Sequence, residues 1–137
     1  MVKNLFIDNA ISRLKLSPLK VTKQRRKMVE LLFKNGAAHI TAEQIFNEVN
    51  KKKLNISLAT IYNSLNQFKE IGLLKAVKIS SDKIYYDTNT KEHHHFFCQN
   101  SGTLTDINPN LVKISKLPKI PKGKSIKSVE VIINIAE

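Results

Sequence analysis

The 137-residue chain has few cysteines to cross-link a small protein and no long apolar run to insert it into a membrane. It has one cysteine, Cys98, which excludes an intramolecular disulfide and a structural zinc site made of four cysteines. Apolar runs are only a few residues long, and polar residues interrupt the N-terminal segment. We therefore expect no membrane-spanning helix, no signal peptide and a cytoplasmic location, with stability supplied by core packing.

Acidic residues are also scarce, because 11 Asp and Glu stand against 23 Lys and Arg, for a formal charge of +12. An apolar content of 42% indicates a folded chain rather than a basic tail. Residues 1–83 have 16 basic and 6 acidic residues (+10), whereas residues 84–137 have 7 and 5 (+2). This asymmetry predicts that the first half binds a polyanion, usually nucleic acid, and the alternative is a solvated basic surface.

Three amphipathic helices and a hairpin are predicted in the first half. Residues 22–35 have a basic first turn followed by a strongly apolar side. Residues 41–44 form a capping box at the start of a second helix, and a third begins at Ser57 and stops before Gly72. Alternating residues then predict two strands around a turn at 80–83. This order is typical of a winged helix-turn-helix, in which the third helix enters the major groove and the hairpin is the wing.

The third helix is predicted to expose a stripe of small hydrogen-bonding residues, namely Thr60, Asn63, Ser64 and Gln67. Such a stripe suits reading of base edges, although it is also common on solvated helices. The basic turn at residues 23–27 favours DNA, since lysine and arginine contact phosphates.

The second half is predicted to be smaller and rich in strands, at residues 93–98, 103–107 and 125–135. Prolines leave room for at most a short helix near residues 109–116. A core of this size is near the limit of independent stability, so a partner is expected, most simply a second copy. We predict an α+β protein with a winged-helix DNA-binding domain at 1–87 and a small α/β dimerisation and ligand-sensing domain at 88–137.

Three of the four histidines are adjacent. In a strand, His93 and His95 would face one way and His94 the other, so that two imidazoles could chelate a metal ion. Further donors are available at His39, Asp87 and Asp106. Imidazole and carboxylate together suit Fe²⁺, Mn²⁺ or Zn²⁺. The alternative is a polar histidine run on an exposed strand edge.

A metal-dependent hydrolase acting on nucleic acid is the competing class, because His and Asp ligands also occur in catalytic metal sites. The sequence offers no serine or cysteine elbow and no glycine-rich phosphate loop for such an enzyme. We therefore expect a binding protein and not an enzyme. Cys98 is predicted to be a small buried residue, and Tyr85 and Tyr86 are expected to be wing or core aromatics.

Residues 11–135 resemble the ferric uptake regulator (Fur) superfamily and, more closely, its haem-responsive branch, the iron response regulators (Irr). The segments that carry the resemblance are residues 19–25, 39–43, 56–68, 72–74, 86–89, 93–97 and 105–107. The resemblance implies a homodimeric transcription regulator, a repressor in many members, that binds an AT-rich operator in double-stranded DNA and adjusts iron or haem metabolism.

By family position, Lys20 would enter the minor groove and Tyr62 would contact bases, while Arg25, Ser57 and Thr60 would hold phosphates. Asn63 stands where most of the superfamily has arginine, and it agrees with the haem-responsive branch. Since asparagine pairs better with adenine than with guanine, the operator preference should differ from that of ferric uptake regulators.

The resemblance maps an inter-domain metal site onto His39, His93, His95 and Asp106, with Asp87 as a fifth ligand. It also implicates the triple histidine, His93 to His95, in haem binding. The chain departs from the family at Ser101, Lys113 and Val129, where cysteine, acidic and histidine ligands of other metal sites are usual. We therefore predict haem or Fe²⁺ as the ligand, with Mn²⁺ or Zn²⁺ as other ions for the site; the alternative function is a repressor that senses Fe²⁺ or Mn²⁺ directly.

Overall fold

The structure is a computed structural model that describes residues 4–36 and 38–137. It divides into two compact units, Met1–Thr90 (the N-terminal unit) and Lys91–Glu137 (the C-terminal unit), each with a three-stranded sheet. Residues 1–3, which begin the segment predicted to lack a signal peptide, lie outside the described residues. Among the helices of residues 4–36 and 38–137, none has the length and apolar character needed to cross a membrane.

The N-terminal unit contains four helices, each preceded by a side chain that caps it. The helices are α1 (Leu5–Leu16), α2 (Lys23–Phe33), α3 (Ala42–Lys51) and α4 (Leu58–Glu70). Asn4, Thr22, Thr41 and Ser57 each accept a hydrogen bond from a backbone N–H of the first turn, which would otherwise lack an acceptor. At Thr41 both hydrogen bonds of the predicted capping box are formed.

The four helices pack around one apolar cluster. Met28, Leu32, Ile45, Leu65 and Phe68 are at most 1% exposed and belong to it. The helices α3 and α4 are joined by a turn in which Lys53 and Asn55 adopt positive φ angles of 53° and 56°. The helix-turn-helix is therefore held by its own core, and the outer face of α4 is left at the surface.

A small antiparallel sheet completes the N-terminal unit. Its strands are β1 (His39–Ile40), β2 (Lys75–Ser80) and β3 (Lys83–Asp87), and β3 lies in the centre. The predicted hairpin is therefore confirmed as β2 and β3. The two-residue strand β1 was not predicted, and it pairs His39 with Asp87 across the sheet.

The C-terminal unit is a sheet of β4 (His94–Cys98), β5 (Leu104–Ile107) and β6 (Ile132–Ile135), with β4 in the centre. The strand β5 is antiparallel to β4, as predicted for the hairpin, and β6 is parallel to β4. A 3₁₀ helix at Pro109–Leu111 is the only helical element of this unit, which agrees with the expectation of at most a short helix.

Besides β1, three details of the fold differ from the sequence-based predictions. The helix α1 was not predicted, although Ala10, Ile11 and Leu14 are buried at helical spacing. The predicted strand at 125–135 is wrong before Ile132, because β4 has five residues and its backbone pairing with this segment begins with the hydrogen bond from the His95 N–H to the Val131 carbonyl oxygen. Ser64 was predicted to be exposed but is 6% exposed, so it belongs to the packed side of α4.

Candidate metal centres and nucleic-acid interface

Two histidines and a carboxylate converge on one face of the C-terminal sheet. His93 and His95 alternate with His94, so their side chains point to the same side, where they are 4% and 0% exposed. Asp106 lies opposite His95 on β5. Its Oδ1 is 3.1 Å from Nε2 of His93 and 3.2 Å from Nε2 of His95. One ligand atom from each of the three side chains lies within 4.8 Å of the others.

The hydrogen bonding of His93 turns its Nε2 atom toward Asp106. Its Nδ1 is 2.6 Å from the carbonyl oxygen of Lys91, and because a carbonyl only accepts, Nδ1 carries the hydrogen. Nε2 is the ring atom that faces the Asp106 carboxylate. An Nδ1–H donated to a backbone carbonyl is the usual arrangement of a histidine that binds a metal ion through Nε2.

His94 and Cys98 lie apart from this group. His94 accepts the backbone N–H of Val131 at its Nδ1, over 2.9 Å, and so joins β4 to the chain entering β6. Cys98 is buried, as predicted, and its hydrogen bond with the Ser101 hydroxyl lowers the pKa of the thiol. The hydroxyl oxygens of Ser101 and Thr103 lie 2.9 Å apart and share a hydrogen bond. The position where the family usually has a second cysteine therefore serves the β4–β5 turn.

The N-terminal unit has a second His-Asp pair. His39 on β1 faces Asp87 on β3, and its Nε2 is 3.2 Å from Oδ2 of Asp87. The Asp87 side chain is 1% exposed and that of His39 is 17% exposed. Oδ1 of Asp87 accepts the backbone N–H of Asn89 over 2.9 Å. This second hydrogen bond fixes the carboxylate, and Oδ2 is left directed at the imidazole.

The predicted DNA-contacting residues of α4 lie at its N-terminal end. Ser57 and Asn63 are exposed and Thr60 is half-buried. Ser57 accepts the N–H of Thr60 as the helix cap and donates its own hydrogen to the Thr60 hydroxyl over 2.9 Å. The two hydroxyls thus form a fixed pair beside the first turn, where the positive end of the helix dipole favours phosphate.

Arg25 connects two of the predicted DNA-contacting elements. Its guanidinium donates to the carbonyl oxygen of Lys20 over 2.7 Å and to Oε1 of Gln67 over 3.3 Å. Lys20 is exposed. The structure therefore gives Arg25 a positioning role, since it ties the backbone at Lys20 to the C-terminal half of α4. Contact of Arg25 with phosphate stays a prediction.

Glu43 contacts a predicted DNA-binding residue, and the sequence did not predict this contact. The Tyr62 hydroxyl donates to Oε1 of Glu43 over 2.5 Å. This hydrogen bond raises the pKa of Tyr62. Both residues line a groove that also includes residues 81–84 of the wing. Glu43 stands in the first turn of α3, beside the capping box of Thr41 and Gln44, and the pattern of that box gives no signal for a contact with α4.

Comparison with known proteins places the chain in a family. The model described as "Ferric uptake regulator family" matches residues 17–135. The peroxide operon regulator of Bacillus subtilis strain 168 is 34% identical over 112 residues, which are 81% of this chain and 77% of the relative.

Solved structures of ferric uptake regulators have the same fold. The protein from Helicobacter pylori, which has three functional metal binding sites, superposes with a TM-score of 0.72 at 20% identity, covering 99% of this chain and 94% of that chain. The protein from Pseudomonas aeruginosa, solved with manganese, has a TM-score of 0.69 at 20% identity, covering 93% and 97%.

These findings decide some of the sequence-based predictions and leave others open. The resemblance to the superfamily and the α+β fold are confirmed. The resemblance to the haem-responsive branch stays a prediction, since curated relatives at 32 to 34% identity are peroxide regulators. A hydrolase is not supported, because members of the matched family are transcriptional regulators and not enzymes. The chain belongs to the ferric uptake regulator family of DNA-binding, metal-responsive transcriptional regulators.

Proposed function

We propose that this chain is a homodimeric repressor that binds an operator in double-stranded DNA and responds to a divalent metal ion of iron metabolism. The observation that carries the proposal is the group of His93, His95 and Asp106. Two buried imidazoles whose Nε2 atoms converge on one carboxylate oxygen are a donor set that suits a divalent cation.

The donor chemistry favours Fe²⁺ or Mn²⁺, with Zn²⁺ as a third ion that the ligands accept. Two imidazoles and one carboxylate are the ligand set of many non-haem Fe²⁺ sites, and carboxylate oxygen also suits Mn²⁺. The second pair, His39 and Asp87, supplies one more nitrogen and one more carboxylate oxygen. We propose that both groups serve one ion, which would take three donors from His93, His95 and Asp106 and two from His39 and Asp87.

Shared ligands would link the metal ion to DNA binding. An ion that takes donors from both units favours those arrangements in which all five donors reach it, and it changes operator affinity only if it binds these arrangements more tightly than others. Regulators of this family are DNA-binding dimers, and we extend both properties to this chain. The proposed operator contacts are Lys20, Arg25, Ser57, Thr60, Tyr62 and Asn63.

Titration of the full-length apoprotein with Mn²⁺, followed by calorimetry and electron paramagnetic resonance, tests the proposal. We expect one ion per chain and, in His95→Ala, at least about a tenfold loss of affinity, since even outer partners of metal ligands are worth about 10- to 100-fold. His39→Ala should weaken the same binding event. Fluorescence anisotropy on an operator selected from random duplexes should then show a dependence on Mn²⁺ that both variants lose.

His94→Ala is the matched control, because His94 belongs to the same strand but points to the other face. It should keep wild-type Mn²⁺ affinity. Two independent ions per chain, or unchanged binding in His39→Ala, would show that the two groups do not share an ion. Sequence-independent DNA binding by the wild-type protein would contradict the regulator assignment itself.

A response to peroxide is a second candidate function, favoured by the 34% identity to a peroxide operon regulator and by the two-histidine, one-carboxylate set. Hydrogen peroxide should then abolish operator binding by Fe²⁺-loaded protein and spare Mn²⁺-loaded protein. Equal resistance of the two forms would remove this candidate.

Haem is the alternative ligand that the resemblance to the haem-responsive branch raises. The burial of His93 and His95 argues for a small ion, because a porphyrin would have to open this face of the sheet to reach either imidazole. A haemin titration followed by the Soret band decides between them. A shift that disappears when His93, His94 and His95 are all replaced by alanine would favour haem.

A further inference from the structure

Residues 113–127, here termed the basic strap, contain six lysines and no acidic residue: Lys113, Lys116, Lys119, Lys122, Lys124 and Lys127. The near balance of charge in residues 84–137 conceals this segment, since six of the seven basic residues there lie within it. The second half of the chain therefore has its own concentrated positive charge.

The strap has an open conformation in which its lysines face solvent. It contains no helix or strand, and every residue from 113 to 128 is exposed. Pro118 and Pro121 fix their own φ angles and hold the preceding residues extended, so the segment cannot coil into a helix. A turn closed by the Lys124 N–H on the Pro121 carbonyl, with Gly123 at φ 80°, presents Lys122 at its tip.

The sequence of the strap separates charge from apolar surface. Lysine recurs every three residues from Lys113 to Lys119, and the positions that follow each lysine are Ile114, Leu117 and Ile120. An extended chain with three residues per turn and a rise of about 3.1 Å per residue would align these lysines along one ridge, about 9 Å apart. The apolar side chains would form a separate ridge.

No carboxylate neutralises these lysines. Between Ile107 and Val129 the sequence has no Asp or Glu, and within residues 4–36 and 38–137 none of the six forms an ion pair within 4.0 Å. A row of unpaired cations on an extended segment has the chemistry that recognises a regular polyanion through counterion release.

We propose that the basic strap binds the phosphate backbone of duplex DNA as a second, sequence-independent contact besides the winged helix. The inference rests on the proposed function, because the operator-bound N-terminal unit would hold the strap at high effective concentration near the same DNA. The strap contributes affinity and salt dependence, and base preference stays with α4.

The experiment compares triple variants of the full-length protein that lose equal charge. The strap variant is K113Q/K116Q/K119Q. The control is K15Q/K51Q/K69Q, which removes three exposed lysines from the last turns of α1, α3 and α4, outside the proposed operator contacts. Operator affinity is measured by anisotropy between 50 and 300 mM salt with Mn²⁺ present, roughly the range over which counterion release is resolved.

If each replaced lysine contacts one phosphate, the slope of log K against log salt falls by about 2.7 for each chain and by about 5.4 for the homodimer, since each phosphate contact contributes about 0.9. The control variant loses the same net charge and keeps the wild-type slope apart from the small change that lower net charge itself causes. The variant K113R/K116R/K119R keeps the charge of the strap and has the wild-type slope. The strap variant ranks a set of mutated operators in the same order of affinity as the wild type, and it still sediments as a dimer.

An identical loss of slope in the strap and control variants would overturn the proposal, because general charge and not the strap would then be responsible. An unchanged slope in the strap variant, with operator binding by the wild type intact, would overturn it as well and leave the proposed function standing. Failure of the wild-type protein to prefer any operator would instead contradict the proposed function.

Discussion

The N-terminal unit buries a continuous apolar cluster among its four helices, whereas the C-terminal unit leaves most of its large apolar side chains in contact with solvent. All members of the main buried cluster lie in the N-terminal unit. The buried apolar residues of the C-terminal unit are Phe97, Cys98, Leu104 and Ile107. Among the residues that the structure describes, seven of the ten exposed large apolar ones belong to it.

This difference indicates which unit can be stable by itself. A helical unit with a closed core needs no partner, but a three-stranded sheet of about fifty residues buries too little to offset its conformational entropy alone. The C-terminal unit must gain stability from outside, through a second copy, through a metal ion on His93, His95 and Asp106, or through both.

The largest expected effect follows from Phe68→Ala in the closed core of the N-terminal unit. Phe68 is 0% exposed, so truncation leaves a cavity and should lower the free energy of unfolding by about 3–5 kcal/mol. Urea unfolding followed by circular dichroism measures it. Phe6→Ala, at a 58% exposed phenylalanine of the same unit, is the control and should cost much less. Similar losses in both variants would contradict the closed core.

The second prediction concerns the apolar ridge of the strap, where Ile114, Leu117 and Ile120 are 42–45% exposed. If a second copy covers them, I114S/L117S/I120S should raise the dimer dissociation constant by at least about tenfold, which corresponds to about 1.4 kcal/mol. Analytical ultracentrifugation measures the constant. L5S/L16S removes comparable exposed apolar surface from the N-terminal unit and should leave it unchanged.

Local patterns predicted the elements whose stability is local. The capping residues marked the starts of α3 and α4, and alternation along β4 placed His93 and His95 on one face. The same local patterns could not predict which segments distant in the sequence pair as strands. The two-residue strand β1 brings His39 to Asp87 only because β3 offers an edge, and β6 is short because β4 is short.

The candidate site was predictable to the same extent. Ligand types and alternation indicated His93, His95 and Asp106, whose distances the structure supplies. The hydrogen bond of Tyr62 to Glu43 joins two helices, and no spacing within either helix reveals it.

A smaller effect is expected at the caps on which the helical unit depends. Thr41→Ala removes the acceptor for the Gln44 N–H and should lower the free energy of unfolding by about 1 kcal/mol. Thr41→Ser keeps a hydroxyl at the cap and should recover most of the loss in the same urea titration. Because Thr41 supplies none of the five proposed metal donors, Mn²⁺ affinity should not change beyond the altered fraction of folded protein.

The smallest expected effect concerns the negative charge of Glu43 beside the proposed DNA contacts. The Glu43 carboxylate lies against Tyr62 on the face proposed to meet DNA, where a negative charge repels phosphates. Glu43→Gln keeps an acceptor for the Tyr62 hydroxyl but removes the charge, so operator affinity should rise by about two- to fivefold, as expected for an exposed charge worth about 0.2–1 kcal/mol. Anisotropy at low salt measures the gain, which should shrink as salt screens the repulsion.

Tyr62→Phe, which removes the hydroxyl and keeps the charge, should show no such gain. A gain in Tyr62→Phe equal to that in Glu43→Gln would mean that release of the tyrosine, and not loss of the negative charge, limits binding.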